Sequence, residues 1–282
     1  MIQWYPGHMA KAKKMLQENL KLTDIVIEVA DARAPLSTRN PDFNEVFAGK
    51  QRVVILNKSD LASKECTDQW ISRLEAEGMR AVSASSVRST TRNRIVPVLD
   101  EVAKPIVEKA REKGVIKTVR AIVVGIPNVG KSTMINCIAG RKRAAVGNKP
   151  GVTKGKQWVS VTKYLELMDT PGILWPKFED ELTARHLSYL NAINDDILDI
   201  EDIATQLAEE LAPIIPDVLI ERFGSVPDGN DHDVFLAAVC RKRSLYYTNG
   251  EENTKRAAEI LLDEFRSGKL GRITLETPGG AE

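Results

Sequence analysis

Cysteine is scarce, and the three present, Cys66, Cys137 and Cys240, are odd in number, far apart and without a CxxC spacing. That excludes a disulfide framework and a cysteine-based zinc site, and predicts buried thiols in a reducing compartment. Long apolar runs are missing as well: nothing approaches the roughly 18 residues of a membrane-spanning helix. The stretch MIQWYPGHMAKAKK has neither an apolar core nor a small-residue cleavage site, so export is not expected and a cytoplasmic setting is. Charge of one sign is not in excess, with 40 Lys and Arg against 39 Asp and Glu, which excludes a global polycation. At 282 residues, 43% hydrophobic and 28% charged, the chain has material for one large or two medium folded domains.

Locally the charge is uneven. Arg141 to Lys156 carries six basic residues and no acid, Glu179 to Glu221 twelve acids against Arg185, and Arg241 to Arg272 eight basic residues against five acids. Such runs are often just solvated faces, but a basic stretch beside a phosphate-binding loop is also suited to RNA phosphates.

Up to about residue 175, short β-rich runs alternate with helical patterns, which predicts an α/β fold with a mostly parallel sheet. Strands are expected at Ile25–Ala30, Val53–Asn57, Arg80–Ser83 and Ala121–Gly125, with Gln157–Thr162 and Tyr164–Asp169 forming an antiparallel hairpin. Helices are expected from Met9 to Leu20, after the Asn40-Pro41 start signal, over Ser63–Glu77, through Asn93–Gly114, and from Lys131 to Ala139. From residue 178 the pattern becomes helical throughout, in DELTARHLSYLNAI, IEDIATQLAEELA, DVFLAAVCRKR and TKRAAEILLDEFRSG. The expected division is therefore an α/β domain over 1–177 and an all-α domain over 178–282.

GIPNVGKS, at 125–132, matches G-x-x-x-x-G-K-[ST] and lies between the apolar strand AIVV and the helical KSTMINCIA. Gly125 and Gly130 let the backbone turn so that its N–H groups, with those of Asn128, Val129 and Thr133, face phosphates. Lys131 is placed to reach the β- and γ-phosphates and Ser132 to ligate Mg²⁺. Asp169-Thr170-Pro171-Gly172 ends another apolar run in the D-x-x-G pattern, with Asp169 toward the metal and the Gly172 N–H toward the γ-phosphate. Thr153, between the two, is a candidate for both metal and phosphate.

NKSD, at 57–60, has the N-K-x-D pattern of a guanine reader. The Asp60 carboxylate can accept from the ring N1–H and the exocyclic amine, a pair that adenine does not present. Asn57 can bond N7 and tie this loop to the cradle, while the Lys58 stem covers one face of the base. Ser83-Ala84-Ser85 follows the next strand and fits the loop that donates an N–H to O6. In the usual order the cradle precedes the base reader; here it follows, 68 residues downstream. The pieces run base reader, SAS loop, cradle, threonine loop, D-x-x-G, a cyclic shift that a fold with adjacent ends tolerates.

These stretches, with WYPGHMAKAKK, DARAPLSTRNP, PGVTKGKQW and DTPGILWPKFED, resemble the circularly permuted GTPases of ribosome assembly, and most closely the bacterial YlqF/RbgA group. The resemblance implies a monomeric factor that takes GTP and GDP with Mg²⁺, binds the immature large ribosomal subunit through 23S rRNA and ribosomal proteins, and leaves on hydrolysis. Neither DNA nor a membrane is implied. It also points to His8, in the PGHM turn, as the group that positions the attacking water; Lys131 and Thr153, placed at the phosphates by their motifs, are the other candidate catalytic residues. Asn128 resembles the asparagine of cradles that hold K⁺ beside the phosphates.

Two alternatives stand. One keeps the GTPase but gives it a small-subunit or translation-linked client. The other is an RNA-binding placeholder using GTP as a structural ligand, with which Ile173 is compatible, because it stands where Ras-like switches carry a water-orienting Gln. An ATP-using enzyme leaves NKSD and SAS without purpose. DARAPLSTRNP is explained equally well as a salt-bridged turn, and His186 and His232 are expected to be structural.

Overall fold

The structure, a computed structural model, describes residues 7–140, 158–175, 180–227 and 232–279, with side chains from Lys14 onward and excluding 232–233. The residues fall into two units, one spanning Met1–Glu179 together with Glu276–Glu282 and the other Asp180–Leu275.

Among the described residues the first unit has six strands: β1 (Ile25–Asp31), β2 (Gln51–Asn57), β3 (Arg80–Ser83), β4 (Val119–Val124), β5 (Trp158–Ser160) and β6 (Leu165–Asp169). They lie in the order β3-β2-β1-β4-β6-β5, parallel except for β5, which pairs antiparallel with β6 at the edge. Every residue of β1, IVIEVAD, is buried, the pattern of a central strand covered on both faces by crossover helices. Glu28 is the polar residue in the middle of the strand; its carboxylate meets the Arg52 guanidinium at 2.7 Å and Arg39 at 3.4 Å, so the buried charge is paired. β2 begins two residues earlier than expected because exposed Gln51 and half-buried Arg52 join the ladder without joining the apolar run. β4 ends at Val124, one residue short of expectation, because Gly125 turns out of the strand at φ +148°.

Among the described residues, five helices accompany the sheet: α1 (Gly7–Leu20), α2 (Asp42–Val46), α3 (Lys64–Ala76), α4 (Thr91–Glu112) and α5 (Lys131–Ala139). α3 starts where Ser63 Oγ accepts from Cys66 N and buries Thr67, Trp70 and Leu74 at helical spacing. α4 buries Thr91, Ile95, Leu99 and Ala103, one side chain every four residues, and carries Pro97 and Pro105 inside. α1 turns Leu16 into the core beside Val26, Phe43, Phe47 and Ile173. Of the cysteines, Cys240 is buried while Cys66 and Cys137 are half-buried, so the expectation of three buried thiols holds for one. Both half-buried thiols lie on helix positions that face partly outward, which a count of cysteines cannot register.

The second unit is helical: α6 (Glu181–Tyr189), α7 (Ile200–Leu211), α8 (Pro216–Phe223), α9 (His232–Arg243) and α10 (Thr254–Arg266). Asp180, Asp199 and Asn253 cap α6, α7 and α10 by accepting first-turn N–H groups. The Glu264 carboxylate is held between Arg222 at 2.7 Å and Arg243 at 3.0 Å, which fastens α8 and α9 to α10. His186 is buried against Glu210 at 2.9 Å, with the Tyr189 hydroxyl on the other carboxylate oxygen, a structural cluster as expected; the His232 side chain lies outside the described ones. Among the described residues no helix is long and apolar enough to cross a membrane.

Candidate nucleotide site

In parallel sheets, ligands sit at the carboxyl ends of the strands, where the connections diverge. Among the described residues, the base reader, the SAS loop, the cradle and the D-x-x-G loop leave from that edge. Asn57 ends β2, Ser83 ends β3, Gly125 follows β4 and Asp169 ends β6, with Asp31 ending β1 between the two halves. In register, Asp31 stands opposite Asn57. Motifs that are 68 residues apart in the chain are thereby neighbours in space.

The Asn57 amide makes the junction. Its Nδ2 donates to the Val129 carbonyl at 2.8 Å, and its Oδ1 accepts from Ser86 N at 3.0 Å. One buried side chain thus links the base reader, the SAS loop and the cradle. Gly130 must be glycine for the same reason. It lies at φ +97°, and a Cβ there would stand 2.5 Å from Asn57 Nδ2. The Lys58 ammonium reaches the Asn128 carbonyl at 3.0 Å, a second tie between the loops. Lys58 and Asn128 both adopt φ +57°, the left-handed region that non-glycine residues rarely visit, and both do so within this pair of loops.

Ser59 N donates to the Ala84 carbonyl and Ala84 N to Leu56 O, which fixes the SAS loop beside NKSD. Ser83, Ala84 and Ser85 are buried, while Asp60 is half-exposed in the turn closed by Leu61 N on Lys58 O. Among the described residues, buried Ser85 Oγ has no hydrogen-bond partner, a group that the polar edge of a ligand would satisfy.

On the phosphate side, α5 begins at Lys131 with no side-chain cap on its first N–H groups, and Val129, just before it, is buried. The Lys131 ammonium is buried and donates to Ile126 O at 2.7 Å. Burial pushes its pKa down to about 8, against the opposing pull of Asp169. Ser132 Oγ donates to Asp169 Oδ2 at 2.6 Å, so two hard oxygen donors from β6 and α5 lie together, as a Mg²⁺ site requires. Thr133 is half-buried on the first turn of α5. Thr153, the Arg141–Lys156 stretch and the His8 side chain lie outside the described residues; the His8 backbone belongs to α1.

The D-x-x-G loop is seated against the cradle. Thr170 Oγ1 donates to Val123 O at 2.7 Å and Ile173 N to Gly125 O at 3.2 Å. A Cβ on Gly172 would lie 2.6 Å from the Pro127 backbone, so only glycine allows this approach. Gly172→Ala is expected to lift the loop away from the γ-phosphate position. Binding of a non-hydrolysable GTP analogue should weaken by about tenfold or more, the worth of one charge-assisted hydrogen bond, while GDP binding is little changed. Paired titrations of the two nucleotides check this. Ile173, in the place of a water-orienting Gln, is buried in the core beside Leu16 and Phe47 and takes no part at the surface of the site.

Sequence reasoning missed three participants. Asp31 and Arg33 are both buried, and the Asp31 carboxylate receives Arg33 N at 3.1 Å, Arg33 Nε and Nη2 at 2.9 Å, and the Lys58 ammonium at 2.9 Å. Burial alone would raise the Asp31 pKa; the charges of Arg33 and Lys58 outweigh it and hold the carboxyl far below the usual range. Ser86, which anchors Asn57, is the third. The available signal was the placement of DAR at the end of the strand that pairs with NKSD.

Known proteins are similar to this chain along most of its length. The family described as 50S ribosome-binding GTPase matches residues 120–222. That span opens on the cradle strand and leaves out NKSD, as it must where a pattern in the usual motif order meets a permuted chain. Ribosome biogenesis GTPase A of Bacillus cereus is 42% identical over 279 residues, which cover 99% of this chain and 94% of that protein. The Thermotoga maritima protein of the same name is 32% identical, with 98% of this chain and 95% of its own covered. The crystal structure of GNP-bound YlqF from T. maritima matches with a TM-score of 0.68 at 26% identity, covering 95% of this chain and 99% of that one. The chain belongs to the ribosome biogenesis GTPase A family, and it is a GTPase of ribosome assembly.

Proposed function

We propose that the protein times a late step of large-subunit assembly, binding the immature 50S particle with GTP and leaving once GTP is hydrolysed. The observation that carries the nucleotide half is the Asn57 junction, which joins a guanine reader and a phosphate cradle into one site. The ribosomal half is supported by the match to a family described as 50S ribosome-binding GTPase. In this reading the protein acts in the cytoplasm as a monomer, and its partners are 23S rRNA and ribosomal proteins of the particle.

Asp60 reads the guanine edge, the SAS loop receives O6, and the α5 N-terminus with Lys131 holds the phosphates. Ser132 and Asp169, already 2.6 Å apart, would hold Mg²⁺ together with Thr153, and the ion would offset charge on the phosphates. K⁺ at Asn128 is the accessory ion of this reading. With Ile173 buried, the water must be positioned from elsewhere, and His8 is assigned that role. His8→Ala protein should bind the particle normally and lose the particle-stimulated part of GTP hydrolysis; retained stimulation would remove His8 from the mechanism.

Co-sedimentation tests the client. The protein with a non-hydrolysable GTP analogue should travel with 50S particles, and with GDP it should not. Preference for 30S particles would favour a small-subunit client, and retention in both nucleotide states would favour a placeholder. Binding should also weaken steeply with salt if lysines such as exposed Lys14 and the basic residues of α9 meet RNA.

A further inference from the structure

The loop that holds Lys58 is itself held by the far end of the chain. Within residues 31–38, Asp31 N donates to Thr38 Oγ1 at 2.9 Å and Thr38 Oγ1 donates to Ala34 O at 2.6 Å. The backbone closes in the same place, with Thr38 N on Ala34 O at 3.1 Å. Leu36 N and Ser37 N point out of this turn at one carboxylate, that of Glu276, at 2.5 and 3.1 Å. Ser37 Oγ donates to it as well. The segment around Glu276 is fixed from a second side: Trp70 Nε1, on α3, donates to the Glu276 carbonyl at 3.0 Å, and the Arg73 guanidinium donates to the Pro278 carbonyl.

These contacts form an unbroken series. Glu276 closes the 36–37 turn, the turn places Thr38 and Asp31, Asp31 with Arg33 holds Lys58, and Lys58 reaches Asn128 of the cradle. A carboxylate accepting several N–H and O–H donors on one turn fixes it far better than a neutral side chain does. Polar series of this kind act through their ends, because loosening one member lets the next sample other positions.

We propose that Glu276 is a positioning residue for guanine recognition: by closing the 31–38 turn it sets the Lys58 side chain against the base. The proposal rests on the reading of NKSD as the base reader. It assigns the chain's return to the first unit a part in nucleotide affinity, beyond fastening the terminus. Its effect falls on the base half of the site, because when Lys58 loosens from Asn128 the cradle keeps its other ties, Asn57 on Val129 O, Lys131 on Ile126 O and Ser132 on Asp169.

Glu276→Gln replaces one acceptor by a donor facing donors, and should weaken GDP binding by roughly five- to twentyfold. Inosine diphosphate, which lacks the exocyclic amine but keeps the base face, should weaken by the same factor. Binding of inorganic tripolyphosphate, measured by competition, should not change. In a Lys58→Ala background the Glu276→Gln change should have no further effect on GDP binding, since the series then leads nowhere. Thermal melting of each variant separates folding from positioning. Unchanged GDP affinity, an equal loss for tripolyphosphate, or full additivity with Lys58→Ala would each overturn the proposal. A failure of the underlying reading shows differently: Asp60→Asn would then leave guanine preference intact, whatever Glu276 does.

Discussion

Gly130→Ala protein is expected to fold and to lose guanine-nucleotide binding by at least about a hundredfold, the result of removing a shared joint rather than a contact. Two costs add at this position. An alanine at φ +97° is strained by about 1–3 kcal/mol, a figure that holds for any side chain in the left-handed region. Its Cβ would also stand 2.5 Å from Asn57 Nδ2, so the amide must leave the Val129 carbonyl and the Ser86 N–H together. The base reader and the SAS loop then lose their registration on the cradle at once. Because Asn57 is the last residue of β2 and only its side-chain amide has to move, the strand pairing can stay in place. Melting by circular dichroism should fall by only a few degrees, on the order expected for such a strain in a domain of this size. Titration with a fluorescent GDP analogue measures the affinity; binding near that of the parent protein would mean that the Asn57 junction is incidental.

The second large effect is a change of base. Asp60→Asn should weaken GDP binding by about a hundredfold or more, since a carboxylate paired with two donors becomes an amide that meets one of them with a donor of its own. Xanthosine diphosphate carries a carbonyl in place of the exocyclic amine, and the asparagine amide matches it. Its binding should therefore rise above that of GDP in the variant. Asp60 is half-exposed and lies in a turn fixed by Leu61 N on Lys58 O, so the substitution leaves the backbone in place. A variant that still preferred GDP to xanthosine diphosphate would remove NKSD from base recognition.

Much of this geometry was legible because it is carried by apolar runs that end in polar motifs. Strands β1 to β4 and β6 are such runs, and their ends place Asn57, Ser83 and Asp169, with Gly125 just past β4, on one edge as soon as the sheet is taken as parallel. α5 began at Lys131, as the cradle pattern requires. What was not legible depends on pairings across the chain. The role of Asp31 and Arg33 appears only when β1 is seen between β2 and β4, because a local Asp–Arg turn explains the same letters. The contact of Glu276 with Ser37 spans 239 residues, and no periodicity points to it. α8 escaped notice for a different reason: with eight residues, PDVLIERF is too short to show a convincing period, although Pro216 at its start was a usable signal.

GTP hydrolysis measured with the protein alone, and again with purified 30S, mature 50S and immature 50S particles, tests the central claim most directly. Ile173 is buried where a water-orienting side chain is needed, so the isolated protein should hydrolyse GTP slowly. The immature 50S particle should raise that rate by tenfold or more, on the order of what completing a water-positioning group contributes, and 30S particles should not. Equal rates with every particle and with none would contradict an assembly factor timed by GTP.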